Sequence, residues 1–321
     1  TKEEEILYRA EVERLEALVQ AYRSMQSDEA RLDKETYEDL RHQHGDEDAM
    51  TALYNHHLSS QFSALFGQRD FVHLVRYVVR KLKNNGGAQN VDDSTIIQGL
   101  ERNFGGMPPA QFQLIVQHFL NSNDGSAPLL EYRNVVDVLR HAILDSETIR
   151  KEVDNARDSQ RASSLNESVI RFKLIIDDSE DESISRLLFS NGILDEESTR
   201  VLRFSSFSEE SENENLEIIS EVKAAAASGK CVLLSQTEGL EESFFDLFNQ
   251  HFTVFPNTKW KEDDPNSGPK YRYFANIAVG SVSKNCPVDP KFMIIVVKRK
   301  AELAQTPPAE LNRFEKFRIR L

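Results

Sequence analysis

The sequence predicts a helical domain followed by an α/β domain with a mainly parallel sheet, and two observations support this fold class. Up to about residue 145, apolar side chains recur at steps of three and four residues, which is the period of a helix that buries one face. From about residue 146, short apolar runs alternate with helical segments, an order typical of parallel βαβ units. We therefore predict two domains, residues 1–145 and residues 146–321.

The first domain is predicted to be an α-helical bundle. Its helices are expected around residues 6–22, 50–66, 71–82, 92–104 and 112–120. A polar stretch at residues 27–48 separates the first two helices. Glycine pairs at residues 86–87 and 105–106 and a proline pair at residues 108–109 separate the last three, because these residues interrupt a helix.

The second domain is predicted to alternate strands and helices. Strands are expected at residues 172–176, 201–207, 231–234, 292–297 and 317–321, with a hairpin at residues 271–283. Helices are expected at residues 184–189, 216–227 and 241–252, with a turn and short helix at 307–314, a charged linker or exposed helix at 147–161 and an acidic loop at 208–215. Parallel strands need crossover connections, and the intervening helices supply them. Residues 172–176, 231–234 and 292–297 are therefore expected to share one parallel sheet.

Composition narrows the class of protein. The 321 residues carry 53 acidic and 39 basic side chains, a net charge of −14, which argues against a nucleic-acid partner because such a surface is basic. Cys231 and Cys286 are far apart in sequence, which excludes a disulfide framework or a cysteine-rich zinc site within this chain. We expect a reducing, cytoplasmic setting. No apolar run approaches the ~18 residues of a membrane helix, so no transmembrane segment is expected. The chain opens on Thr1 instead of Met, and we expect it to be a fragment of a longer protein.

A parallel sheet of this kind suits nucleotide binding, but the phosphate loop is missing. That loop needs glycines whose backbone N–H groups cradle phosphate, followed by Lys and Ser or Thr. The nearest match, Gly229-Lys230, is followed by Cys231 and precedes a strand, where the motif cannot work. After the first strand, where the loop belongs, the chain has an acidic run at residues 177–182 that would repel phosphate. We therefore predict that this domain holds no nucleotide.

The sequence gives no strong signal for a metal site or for a hydrolase. His42, His44, His56 and His57 lack the spacing of metal ligands, so we interpret them as solvated side chains and predict no metal site in this chain. No serine occupies a recognisable nucleophile elbow, so a Ser/His/Asp hydrolase is not indicated.

Four segments in order carry a resemblance to a known family. They read FGQRDFVHLV at residues 66–75, VLLSQTEGLEESFFDLFNQ at 232–250, CPVDPKFMIIVV at 286–297 and PAELNRFEK at 308–316. Together they resemble the mysterin family of giant RING-finger E3 ubiquitin ligases, which have a dynein-like AAA+ core. The resemblance spans about residues 60–321 and is strongest after residue 231. It implies that residues 1–145 are the helical lid of one AAA+ unit, and that residues 146–321 are a degenerate P-loop-type core of the next.

The resemblance also implies what lies around this segment. ATP and Mg²⁺ would bind the preceding AAA+ unit, and zinc would bind a RING finger downstream. The partners would be the neighbouring AAA+ units of the same chain and the ubiquitin machinery. The parent would be an E3 ubiquitin transferase with ATP hydrolysis, whereas this segment alone is expected to be inactive. Compared with an active core, Ser235-Gln236 replace the Asp-Glu that ends the third strand, and Lys298 stands where a polar sensor is expected.

Two arginines match functional positions of the family. The resemblance implies that Arg69 is the lid sensor that touches the γ-phosphate, and that Arg313 is the arginine finger that reaches a neighbouring unit's nucleotide. A guanidinium suits both roles because its planar fork binds phosphate oxygens and keeps its charge. The alternative is that each arginine pairs with an adjacent carboxylate, Asp70 or Glu315.

Two other functions stay open at this stage. A non-catalytic helical and α/β scaffold or interaction module would fit the same sequence. A stand-alone nucleoside triphosphatase is disfavoured because the phosphate loop is missing.

Overall fold

The computed structural model divides the chain into two compact units, Thr1–Tyr132 and Arg133–Leu321. The structure describes residues 15–23, 62, 64–84, 92–120, 134–156, 171–179, 183–203, 211–235, 243–259, 261, 271–279 and 282–320. Most of the helix predicted at residues 50–66 and the first part of the helix predicted at residues 6–22 lie outside these ranges. All four histidines named above also lie outside them.

The described part of the first unit is helical, as predicted. Residues 15–23 form one helical segment, and three longer helices follow: α1 (Gln68–Asn84), α2 (Asp93–Phe104) and α3 (Pro109–Phe119). These three match the helices expected at residues 71–82, 92–104 and 112–120. Asp92 caps α2 because its Oδ1 accepts a hydrogen bond of 2.8 Å from the Thr95 N–H.

Aromatic rings fill the core of the first unit. The Phe62 and Phe66 rings both contact the Phe104 ring, with centroid distances of 5.2 and 5.0 Å, and Phe119 lies 5.7 Å from Phe104. Helices α1 and α2 approach closely at Gly99, where an added Cβ would lie 2.7 Å from Cδ1 of Leu74. A larger residue at this crossing would therefore force the buried Leu74 side chain to shift.

The second unit is built on a five-stranded parallel sheet. The strands of the unit are β1 (Phe172–Asp177), β2 (Thr199–Arg203), β3 (Cys231–Ser235), β4 (Thr253–Pro256), β5 (Tyr271–Val279), β6 (Val282–Val288), β7 (Met293–Arg299) and β8 (Phe314–Ile319). The order in the large sheet is β2-β3-β7-β1-β8, and every neighbouring pair is parallel. The prediction that residues 172–176, 231–234 and 292–297 share a parallel sheet is confirmed.

Helices connect these strands. They are α4 (Val135–Ala156), α5 (Ser183–Ser190), α6 (Ser211–Ser228), α7 (Phe245–Phe248), α8 (Lys300–Leu303) and α9 (Pro308–Leu311). All six residues of β1 are buried, which explains why four of them are apolar: Phe172, Leu174, Ile175 and Ile176. Strands β4, β5 and β6 form a separate antiparallel sheet in that order, and β5 and β6 are the predicted hairpin.

Strand β8 begins three residues before the predicted residue 317 and the hairpin extends to Val288, and three further elements differ from the sequence-based expectation. Helix α6 begins at Ser211, inside the predicted acidic loop at residues 208–215, because acidic residues are favoured at a helix N-terminus and do not exclude one. The helix predicted at residues 241–252 is reduced to α7, since Gln250 adopts a left-handed backbone with φ of 54°. Strand β4 was not predicted, because four mostly exposed residues show no burial pattern.

The position of α4 explains where the second unit begins. The sequence predicts a change of domain at residues 145/146, whereas the units divide between Tyr132 and Arg133. Helix α4 belongs to the second unit because it packs on the parallel sheet. Its Ser146 accepts a hydrogen bond of 3.0 Å from the Lys173 ammonium of β1.

Candidate functional site

The carboxyl edge of the parallel sheet is the candidate site. In open α/β sheets, ligands bind beyond the carboxyl ends of the strands, where connections from neighbouring strands leave in opposite directions. Strands β1 and β7 are neighbours of this kind, since the chain leaves β1 towards β2 at one side of the sheet and leaves β7 towards β8 at the other. The residues at these strand ends therefore decide what the sheet can bind.

A tight acidic turn follows β1. The buried carboxylate of Asp177 accepts a hydrogen bond of 2.8 Å from the Ser179 N–H and another of 2.5 Å from the Ser179 hydroxyl, both through Oδ1. This arrangement is an Asx turn, in which a side chain takes the place of a backbone acceptor. In a phosphate loop, backbone N–H groups at this position face the ligand; here the Ser179 N–H donates to the protein's own carboxylate.

An ion pair joins the carboxyl ends of β1 and β8. Arg318 donates from Nε to Oδ2 of Asp178 at 2.7 Å and from Nη2 to Oδ1 at 2.8 Å. The two side chains are only 11% and 19% exposed. The Asp178 N–H also donates to the carbonyl of Ile319 at 3.0 Å. A two-point contact of this type is among the stronger ion-pair geometries, so the turn after β1 is held onto β8.

A second ion pair lies at the end of β7. The Lys298 ammonium is 2.9 Å from Oε1 of Glu310 in α9 and donates to the Thr306 hydroxyl at 3.4 Å. Lys298 is 3% exposed, so its charge is neutralised inside the protein. This is the position where the family resemblance implies a polar sensor. The neighbouring strand β3 ends at Ser235, and Gln236 lies outside the described residues.

Arg313 lies immediately before β8 and is partly exposed. Its backbone N–H donates to the Glu310 carbonyl at 3.0 Å, in the turn that ends α9. Its guanidinium carbon lies 4.4 Å from the centre of the Phe245 ring of α7, a cation–π contact. The carboxylate of Glu315, its proposed alternative partner, is buried and binds Lys173 at 2.5 Å.

Arg69 lies in the first unit, in the first turn of α1, and is exposed. Its neighbour Asp70 is buried, and the Asp70 carboxylate accepts a hydrogen bond of 3.0 Å from the Gly67 N–H. Burial, with the nearby Asp70 charge adding to it, raises the pKa of Tyr22 to about 12. Asp70 therefore serves the interior of this unit.

Two groups that sequence reasoning missed are Phe245 and Arg318. Phe245 belongs to the SFFDLF stretch quoted for the family resemblance, but its pairing with Arg313 joins residues far apart in sequence. No spacing in the sequence signals such a contact. Within the described ranges, no group of three or more His, Cys, Asp or Glu side chains is placed to hold a metal ion.

A parallel sheet in this order, with a helical connection at each crossover and the candidate site at its carboxyl edge, defines the second unit as an AAA-like core. Residues 162–321 match the family model described as the RNF213 AAA domain. The chain is thus an AAA module of an RNF213-like, that is, mysterin-like, protein, and the resemblance predicted from the sequence is confirmed.

Two relatives extend this finding beyond the second unit. The chain is 27% identical over 256 residues, 79% of its length, to a "Putative uncharacterized transmembrane protein" of Dictyostelium discoideum. It is 24% identical over 267 residues, 81% of its length, to E3 ubiquitin-protein ligase rnf213-beta of Danio rerio. It spans 4% of the length of each relative. Among the helices that the structure describes, none has the length and apolar character needed to cross a membrane.

Proposed function

We propose that this chain is an internal segment of the AAA+ motor core of a mysterin-like E3 ubiquitin-protein ligase. The segment lacks a complete nucleotide site of its own. It supplies Arg69 as a lid sensor and Arg313 as an arginine finger to the ATP site of the preceding unit. The observation that carries the proposal is the combination of a carboxyl edge closed by its own side chains with a partly exposed arginine directly before β8.

The closed carboxyl edge supports a core that does not bind nucleotide. A phosphate group there would face the buried Asp177 carboxylate and the Asp178 carboxylate, and the Ser179 N–H is already used. Two cations at these strand ends, Arg318 and Lys298, are neutralised by carboxylates. A triphosphate would have to break these contacts and bring its own negative charge next to the carboxylates that remain.

The setting of Arg313 supports a role as a finger. A cation–π contact uses the positive charge of the guanidinium and does not pair its hydrogen-bond donors with an acceptor atom. An arginine that rests on an aromatic ring can therefore still donate to phosphate oxygens. A finger stabilises charge that develops on the γ-phosphate during transfer, an effect of about 10³–10⁵ in rate.

The setting of Arg69 supports a role as a sensor. A positive charge in the first turn of a helix opposes the helix dipole, so the dipole does not favour an arginine at this place. An exposed guanidinium at this point is suited to bind an anion.

The remaining partners of the proposed function follow from the same assignment. ATP and Mg²⁺ bind the preceding unit, zinc binds a RING finger elsewhere in the parent, and the parent works with the ubiquitin machinery in the cytoplasm. Neighbouring AAA+ units are the direct partners of this segment. A nucleic-acid partner is not part of the proposal, since the net charge is −14.

The test is Arg313→Ala in the complete protein, with ATP turnover and ATP affinity measured separately. We expect turnover to fall by about 10³-fold or more while ATP affinity changes little, because a finger acts mainly in the transition state. Arg69→Ala should lower both affinity and turnover. Arg200→Ala is the matched control, since Arg200 is a half-exposed arginine of β2, the strand at the opposite edge of the sheet.

Unchanged turnover in Arg313→Ala would reject the finger. It would favour the alternative function, a non-catalytic scaffold or interaction module.

A further inference from the structure

Phe245 is exposed in a way that core packing does not explain. The apolar residues around it in and beside α7 are buried: Phe244 is 1% exposed, Leu247 0% and Phe248 4%. Phe245 itself is 48% exposed. One face of its ring is covered by the Arg313 guanidinium, at 4.4 Å from the ring centre, well inside the ~6 Å range of a cation–π contact.

The contact between Phe245 and Arg313 is held in register by the next residues along the chain. The Phe248 ring of α7 packs edge-on against the Phe314 ring of β8, with centroids 5.2 Å apart. The backbone of Arg313 is tied to the Glu310 carbonyl by a hydrogen bond of 3.0 Å. The start of β8 is thus fixed to α7, and the Phe245 ring has a defined position relative to the Arg313 Cα.

We propose that Phe245 is a positioning residue that holds the Arg313 side chain ready for an anion on a neighbouring AAA+ unit. This inference rests on the proposed function. An unsupported arginine samples many rotamers, and each binding event would have to restrict them. The ring restricts them beforehand, because the guanidinium carbon lies over it at 4.4 Å from the ring centre. A cation–π contact does not pair the N–H donors of the guanidinium with an acceptor atom, so it is compatible with a two-point contact with phosphate oxygens.

The test compares substitutions of Phe245 in the complete protein. Phe245→Leu and Phe245→Met keep apolar volume but remove the ring, whereas Phe245→Tyr keeps the ring. We expect both aromatic-free variants to lower kcat for ATP turnover about 10-fold with KM within about 2-fold of wild type, because misplacing a catalytic group lowers the rate more than the affinity. Phe245→Tyr should retain wild-type kcat.

A double substitution shows whether Phe245 acts through Arg313. In an Arg313→Ala background, Phe245→Leu should cause no further loss of kcat, since the group that it positions is absent. A merely structural role of Phe245 would instead lower kcat in both backgrounds. The thermal unfolding midpoint of each variant shows whether it is folded, and two aromatic-free variants are used so that one folded protein suffices.

The two possible failures are distinguishable. If Arg313→Ala loses turnover while both aromatic-free variants keep wild-type kcat, the positioning role is overturned and the arginine finger stands. If Arg313→Ala keeps wild-type turnover, the finger itself is rejected, and the positioning role is rejected with it.

Discussion

Two ion pairs link β1 to β8, one at the carboxyl edge of the parallel sheet and one in its interior, and the two pairs differ in exposure. At the carboxyl edge, Asp178 and Arg318 keep 19% and 11% exposure at the place where an α/β sheet binds ligands. In the interior, Lys173 and Glu315 face each other across β1 and β8 and are 0% and 1% exposed. The edge pair closes a potential ligand site, whereas the interior pair fastens two strands and a helix.

The interior pair reaches α4 through a hydroxyl. The Lys173 ammonium donates to Ser146 at 3.0 Å, and Ser146 in turn donates to the Ala142 carbonyl of the same helix at 2.7 Å. Two charged groups that are buried away from water are tolerated only when they pair closely and hydrogen bonds satisfy their remaining donors and acceptors. The difference teaches that a charged residue in an AAA-like sheet need not belong to a ligand site, because the more buried of these two pairs lies away from the carboxyl edge.

The largest expected effect comes from breaking the interior pair. Glu315→Gln should lower the free energy of unfolding of the second unit by about 3–5 kcal/mol, because it leaves the Lys173 charge buried without its counter-charge. Chemical denaturation measures this loss. The control is the double variant Lys173→Met with Glu315→Leu, which removes both charges and should recover most of the stability. If the double variant is no more stable than Glu315→Gln, the loss has a different cause.

A smaller effect is expected at the carboxyl edge. Asp178→Ala should cost about 1–3 kcal/mol of unfolding free energy, because Arg318 keeps some access to water when its partner is removed. Denaturation of this variant beside Glu315→Gln tests the comparison directly. A loss at Asp178 as large as that at Glu315 would show that exposure does not separate the two regions.

In the first unit, the buried Tyr22 near the Asp70 carboxylate should make stability depend on pH. The pKa of Tyr22 is raised to about 12 by burial, with the Asp70 charge adding to the shift. A raised folded pKa means that the stabilisation is fully present below pH ~10 and is lost as the pH rises towards 12. Alkaline unfolding followed by circular dichroism should show this loss, and Tyr22→Phe should remove that part of the pH dependence. An unchanged alkaline midpoint in Tyr22→Phe would contradict the assignment.

The sequence predicts the sheet better than it predicts the site, for a physical reason. Mostly apolar runs mark β1, β3 and β7, since strands buried on both faces leave a local signal. The absence of a phosphate loop is also visible in the sequence, because its glycines would directly follow β1 in the chain. In contrast, Arg318 with Asp178 and Phe245 with Arg313 are pairs that only the strand order brings together. The contact of α4 with Lys173 is likewise not visible in the helix sequence.

The smallest expected effect is that of ATP on this chain. ATP with Mg²⁺ should produce no binding heat and no shift of the unfolding midpoint, since ligand binding to the folded state would raise that midpoint. The physical reason is the closed edge: the Ser179 N–H is taken by Asp177, and two carboxylates face the place of the phosphates. Calorimetric titration of the isolated chain measures this.

The variant Asp178→Ala is a sharper probe, because it removes one carboxylate and frees Arg318. If only that variant binds inorganic phosphate weakly, the edge pair is what excludes the anion. Micromolar ATP binding by the wild-type chain that maps to residues 177–179 would instead show that the edge opens, and the contrast between the two regions of the sheet would fail.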